Sequence, residues 1–270
     1  MNNSTKLVDI PIQAIQVADI ICELCSQDLA GIYLYGSAVQ SKLRPNSDID
    51  ILVICKKTLS DKIRVELTKR LLELSGNVGN IDKRPLEVTV INQKDIFPFQ
   101  FPPKCDYMYG EWLRPELESG KIPTAYRDPD VTILLWQARK YSVLIRGNDI
   151  SGIIPHIPKN KVMKAIKVSL PELISTIHGD ERNVLLTLAR MWFTVSTNNI
   201  CSKDYAATWV LPKLPQDLAP LMELALNIYI GKSPDTWIMS EEKTILLVNF
   251  LRKSIENAIS RKHKLDYSHG

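Results

Sequence analysis

Apolar residues recur at mixed spacings in the first half of the chain and almost wholly at helical spacing in the second. From Ile12 to Leu29 they fall at Ile15, Ala18, Ile21, Cys22, Cys25 and Leu29, the three-and-four step of a helix with one buried stripe. Gly31 to Tyr35 is a short apolar run closed by Gly36-Ser37 and reads as a buried strand ending in a turn. Ala38 to Leu43 can begin a helix. Pro45-Asn46-Ser47 then breaks it and returns the chain to a second strand, Asp48 to Cys55. The last five residues of that strand are apolar without interruption, as in a strand covered on both faces. Thr58 to Asp61 starts a helix whose stripe is Ile63, Leu67, Leu71 and Leu74. A Gly/Asn-rich turn from Gly76 to Arg84 leads into a third strand, Leu86 to Asn92. Asp95 to Pro103 alternates aromatics with prolines, which fits an extended edge or loop and not a central strand.

Pro123 to Asp130, with two prolines and mixed charge, marks a boundary between domains 1–125 and 126–270. Beyond it the pattern predicts helices alone. Val131 to Arg146 is stopped by Gly147, and Ile153 to Pro158 is a connector. Then follow Asn160–Ile177, Asp180–Thr197, Lys203–Leu211, Asp217–Ile230 and Ser240–His263. The expected fold class is α/β (α+β) for the N-terminal domain, followed by an all-α helical bundle.

Chemistry concentrates in the second strand. Asp48 and Asp50 stand at i and i+2, so both carboxylates leave on one face while Ile49 packs on the other. Two such acids repel unless something cationic lies between them, and Mg²⁺ takes one or two carboxylates together with substrate phosphates. Gly36 lets the backbone approach a phosphate, and the Ser37 amide and hydroxyl can donate to it. The alternative is a plain turn followed by a strand edge with solvated aspartates. Glu87 is the sole charge in the third strand. Alone it would be an exposed-face residue; beside the aspartates it is placed to serve as general base toward an attacking hydroxyl.

Composition narrows the classes. With 270 residues and 45% hydrophobic content there is enough apolar material for a substantial core. A net charge of +4 is modest, and its densest basic cluster is the tail Arg252-Lys253 and Arg261-Lys262-His263-Lys264. That fits a solvated helix end, so no nucleic-acid partner is expected. Five cysteines, an odd number, fit reduced thiols; Cys22 and Cys25 have C-x-x-C spacing but no second pair. The four histidines show no triad or ligand spacing. Met1 to Pro11 has no leader pattern and no run approaches a membrane span, so a cytoplasmic, non-membrane protein is expected, most simply a monomer.

Leu-Tyr-Gly-Ser-Ala-Val, Ser-Asp-Ile-Asp-Ile-Leu-Val, Glu87-Val-Thr-Val, Gly110-Glu111-Trp112 and Gly179-Asp-Glu-Arg-Asn-Val occur in order. The core arrangement resembles the nucleotidyltransferase superfamily of DNA polymerase beta, and the full set resembles the aminoglycoside adenylyltransferases acting on spectinomycin and streptomycin. The glycine that many superfamily members carry shortly after Gly-Ser is absent; Gln40-Ser41-Lys42 stands there. The resemblance implies a mixed sheet and transfer of AMP from ATP, with the cleft between the two halves. It implies a metal set of Asp48, Asp50 and Glu87, with Glu87 also the catalytic base and in contact with the drug. It further implies nucleotide contacts from Gly36, Ser37, Arg190, Lys203 and Tyr229, and drug contacts from Trp112, Asp180 and Asn183. An acidic wall of Glu87, Glu111 and Asp180 would suit the protonated amines of the drug.

Dual-specificity relatives carry a Trp and an acidic residue in the segment before Gly-Asp-Glu-Arg-Asn. Here Pro171 to His178 has no Trp and one acid, which predicts spectinomycin alone, at its 9-hydroxyl. Two other classes stay open. An RNA nucleotidyltransferase shares the core but calls for a basic stripe or stacking aromatics. A non-catalytic nucleotide-binding or toxin–antitoxin module would have no use for three acids on one face.

Overall fold

The protein was analysed as a computed structural model that describes residues 9–267 apart from Asn46, Val78 and Ile81, with side chains through Lys262. Most of the segment read for a leader (residues 1–8), the middle of the Pro45–Ser47 breaker, the His263 and Lys264 side chains of the basic tail, and His269 lie outside the described residues. The chain forms two compact units, residues 1–157 and 158–270.

The first unit is built on a five-stranded mixed sheet. Its members are β1 (Leu29–Leu34), β2 (Ile49–Cys55), β3 (Leu86–Asn92), β5 (Tyr107–Gly110) and β7 (Val143–Gly147), in the order β5-β3-β2-β1-β7. β2 and β3 run parallel, and the other neighbours are antiparallel. A two-stranded ribbon joins β4 (Lys104–Cys105) to β6 (Tyr126–Arg127). Helices α1 (Ile12–Cys25), α2 (Ser37–Gln40), α3 (Asp61–Leu74), α4 (Arg114–Glu118) and α5 (Asp130–Lys140) complete the unit.

Parity along the strands decides what faces what. Ile49, Ile51, Val53 and Cys55 of β2 join Leu86, Val88 and Val90 of β3 and Ile32 and Leu34 of β1 in one buried cluster, with Val17, Ala18 and Ile21 of α1 and Leu67 and Leu71 of α3 against them. Each Leu or Ile so buried contributes about 1.5–3 kcal/mol. The alternate residues face the other way. There Leu52, Ile54, Thr89 and Ile91 are also buried, so β2 and β3 are covered on both faces as the unbroken apolar run predicts. α3 begins where the sequence places it: Ser60 caps it by accepting from the Ile63 amide, which satisfies one otherwise orphaned donor.

The boundary and the segment after it differ from the sequence reading. The predicted division near residue 125 and the predicted helix Val131–Arg146 are both displaced, because the helix stops at Lys140 and the chain turns back into β7. β7 pairs with β1 alone, and of Val143–Gly147 just Ile145 is buried, so no alternation is visible in the sequence. Gly147 (φ 92°) has no room for a side chain, since a Cβ there would lie 2.5 Å from the Ala30 carbonyl oxygen. The Ile153–Pro158 connector, not Pro123–Asp130, is where the first unit ends.

The second unit consists of α6 (Lys159–Ser175), α7 (Glu181–Thr197), α8 (Lys203–Val210), α9 (Ala219–Tyr229) and α10 (Glu241–Tyr267), close to the five helices predicted. α7 is the central element and packs against the other four. It buries Val184, Leu185, Leu188 and Ala189 among other residues, and it ends at Asn198 in the left-handed conformation (φ 55°). Trp192 meets Trp209 and Phe250 edge-on at 5.6 and 6.1 Å, which ties α7 to α8 and α10.

Candidate active site

One row of residues crosses four strands of the first unit. Asp50 of β2 is the register partner of Glu87 in β3, and Glu87 is in turn the partner of Gly110 in β5. On the other side Tyr35, one residue past β1, donates its backbone N–H to the Asp50 carbonyl at 3.1 Å and extends the row. Their neighbours Leu34, Ile51, Val88 and Tyr109 belong to the helix-covered cluster, so Tyr35, Asp50, Glu87 and Gly110 share the opposite face. Asp48 lies two residues before Asp50, just outside β2, and both aspartates and Glu87 are partly exposed. Two carboxylates on adjacent strands and a third at the strand entrance are thus brought to one end of the sheet.

The turn after β1 is shaped to receive one of them. Gly36 has φ 68° and ψ −143°, a region that essentially only glycine enters. A Cβ at this position would fall 1.9 Å from Asp50 Oδ2. The Asp50 carboxylate therefore occupies the space that the missing side chain leaves, directly beside Ser37, the first residue of α2. Among the described residues no three His, Cys, Asp or Glu side chains already converge in a metal-holding cage. A Mg²⁺ ion needs one or two carboxylates and completes its octahedron with water and substrate phosphate, a demand that two aspartates beside a glycine turn can meet.

Tyr35 is the residue in this row that sequence reading missed. Its side chain is 4% exposed, and its hydroxyl donates to Glu87 Oε1 at 3.2 Å. Burial, reinforced by the negative charge of Glu87 and Asp50, holds the phenol well above its usual range, so it stays a donor. The signal was faint, because a Tyr at the end of a buried strand looks like core.

Trp112 stands where a ring can cover the row. It is 59% exposed, and a Cβ on Gly110 would meet its indole at 2.3 Å, so the ring lies over Gly110 on the side where Glu87 projects. A cavity of about 390 Å³, lined by Met108, Leu113, Leu117, Lys121 and Tyr126 among others, opens from β5. Glu111 does not join an acidic wall. Its side chain is 8% exposed and is bridged by Arg114 Nε at 2.6 Å, while the Tyr109 hydroxyl donates to it at 2.8 Å. Burial alone would push its carboxyl up, but the bonds from Arg114, Ser75 and Tyr109 together bring it below the usual range. Arg114 also donates to the Leu72 and Ser75 carbonyls, so this pair fastens β5 to the end of α3.

The second unit gathers three of its predicted residues by itself. Asn183 Nδ2 donates to Asp180 Oδ2 at 3.0 Å, and the Lys203 ammonium donates to Asn183 Oδ1. Asp180 precedes α7 and Lys203 opens α8, so the packing of α8 on α7 brings an acid, an amide and a cation into one line. Arg190, two turns further along α7, is partly exposed and close enough to Cys201 to act on its thiol. Tyr229 is the last residue of α9 and half-buried.

With this geometry in view, residues 19–99 match the family model described as polymerase beta, nucleotidyltransferase, which accounts for β1, β2 and β3. The first unit is a nucleotidyltransferase domain of that class. Residues 152–254 match the aminoglycoside adenylyltransferase C-terminal domain. The chain is 54% identical to a spectinomycin 9-adenylyltransferase of Campylobacter jejuni over 93% of its own length and 97% of the relative's. It is 48% identical to a spectinomycin 9-adenylyltransferase of Staphylococcus aureus over 93% and 97% of the two lengths. The crystal structure of a spectinomycin adenyltransferase from Enterococcus faecialis with ATP and spectinomycin is similar at a TM-score of 0.85 and 34% identity, covering 90% of this chain and 98% of that one. The protein belongs to the aminoglycoside adenylyltransferase family.

Proposed function

We propose that the protein transfers the AMP group of ATP to the 9-hydroxyl of spectinomycin and so inactivates the antibiotic. The observation that carries the chemistry is the pairing of Asp50 with Glu87 beside the Gly36 turn. The choice of drug is supported by the relatives at 48–54% identity that bear this activity in their names.

Glu87 accepts the proton of the drug hydroxyl, whose oxygen attacks the α-phosphorus in line. A new O–P bond forms as the bond to the β-phosphoryl oxygen breaks, and pyrophosphate leaves. Asp48 and Asp50 would hold Mg²⁺, with Glu87 at the edge of the same set; when bound, the ion supplies positive charge to the phosphates. Gly36 and Ser37 receive the terminal phosphates. Arg190 and Lys203 are assigned to phosphate charge and Tyr229 to the nucleotide. Trp112 offers a flat wall to the drug's rings, and Asp180 and Asn183 offer polar contacts to the drug. Lys203 therefore exchanges or shares its bond to Asn183 when nucleotide is present.

The working unit is taken to be a cytoplasmic monomer without a nucleic-acid partner. No helix among the described residues is long and apolar enough to cross a membrane. ATP labelled at the α-phosphate, incubated with spectinomycin, streptomycin and tRNA in turn, tests the proposal. Label should move to spectinomycin. Comparable transfer to streptomycin overturns the narrow specificity, and transfer to tRNA alone overturns the drug reading.

A further inference from the structure

We infer that Tyr35 is a positioning residue for the reaction: its phenol, bonded to Glu87 Oε1, sets the orientation in which the Glu87 carboxylate meets the acceptor hydroxyl. The inference rests on the assignment of Glu87 as base. Tyr35 and Glu87 stand on strands separated by β2, about 10 Å apart at the backbone. The tyrosine side chain spans that gap and donates at 3.2 Å. Its ring is 4% exposed, so the phenol is held by packing and not by solvent. The Gly36 turn, fixed against the Asp50 carboxylate, begins at the next residue and anchors the backbone from which the ring projects.

A donor held by packing on Oε1 restricts the rotation of this carboxylate about its last two bonds and sets the orientation in which it meets the acceptor hydroxyl. The same hydroxyl places a positive hydrogen beside two like-charged groups, Asp50 and Glu87, which lie opposite each other in register. Phenylalanine preserves the ring and removes the hydroxyl, with its bonds to Glu87 and Thr89.

Tyr35→Phe should lower kcat about 10-fold or more, while KM for ATP and for spectinomycin stay within about two-fold. In a Glu87→Gln background the same change should cost less than about two-fold, because the carboxylate it positions is gone. A crystal structure of the wild-type enzyme with ATP and spectinomycin gives a readout independent of turnover and of how well the variant folds. There the Tyr35 hydroxyl should remain on Glu87 Oε1. An unchanged kcat, an equal loss in both backgrounds, or a Glu87 carboxylate swung away from Tyr35 in that complex overturns the inference. Wild-type turnover in Glu87→Gln itself overturns the base assignment instead, and the two failures are distinguished by the single variants.

Discussion

Gly36→Ala is the most direct probe of how the turn and the strand acid depend on each other. The added Cβ would lie 1.9 Å from Asp50 Oδ2, where real contacts stay above 3.0 Å, so the carboxylate must retreat by more than 1 Å or the turn must open. The backbone at φ 68° and ψ −143° adds about 1–3 kcal/mol of strain for any residue with a side chain. For a unit of this size that corresponds to a Tm lower by about 3–10 °C. The effect on rate should be larger than the effect on stability. Displacing a reacting group by about 1 Å can cost about 10² in rate, so AMP transfer should fall at least that far at saturating ATP and spectinomycin. Differential scanning fluorimetry and a pyrophosphate-release assay read the two quantities on one preparation. A Gly36→Ala enzyme with wild-type Tm and kcat would refute the claim that this turn is built around the Asp50 carboxylate.

Glu87→Gln should reduce kcat by about 10² or more with the spectinomycin dissociation constant unchanged within a few-fold; near-normal turnover removes it from the base role. Glu111→Gln should instead act on stability. The native carboxyl titrates below its unfolded value of about 4.3, so the Arg114 pair stabilises the fold above that pH and loses its contribution as pH falls through the native value. Urea midpoints of wild type and variant should therefore differ by the equivalent of about 1–3 kcal/mol at pH 7, and the gap should narrow as pH falls below about 4.3. A gap that does not shrink on acidification would sink this account.

Much of the architecture is legible from residue order because β2 and β3 are short, mostly apolar runs bounded by breakers, as strands covered on both faces are. Asp48 and Asp50, and the unbroken run behind them, announce a strand with two acids at its entrance. Glu87 is legible as the one charge in its strand. Residues 126–147 are illegible for a physical reason: β7 is an edge strand with one neighbour and one buried residue, so its pattern merges into the helix before it. Its remaining clue is Tyr141-Ser142 followed by Val-Leu-Ile and a glycine. Glu111 misleads because a carboxylate beside Trp112 suggests an acidic wall, whereas the partner that neutralises it lies three residues on. Tyr35 escapes because its role depends on crossing a whole strand to reach Glu87, a relation that no local window contains.

The parallel alignment of Asp50 with Glu87 makes the register of β3 on β2 matter twice over. Sliding one ribbon past its neighbour by a single step would turn Glu87 toward α1 and α3 and thrust a greasy side chain into its place. Under the proposed chemistry such a misthreaded chain would be inert as well as sticky, so correct threading and competence would arrive together.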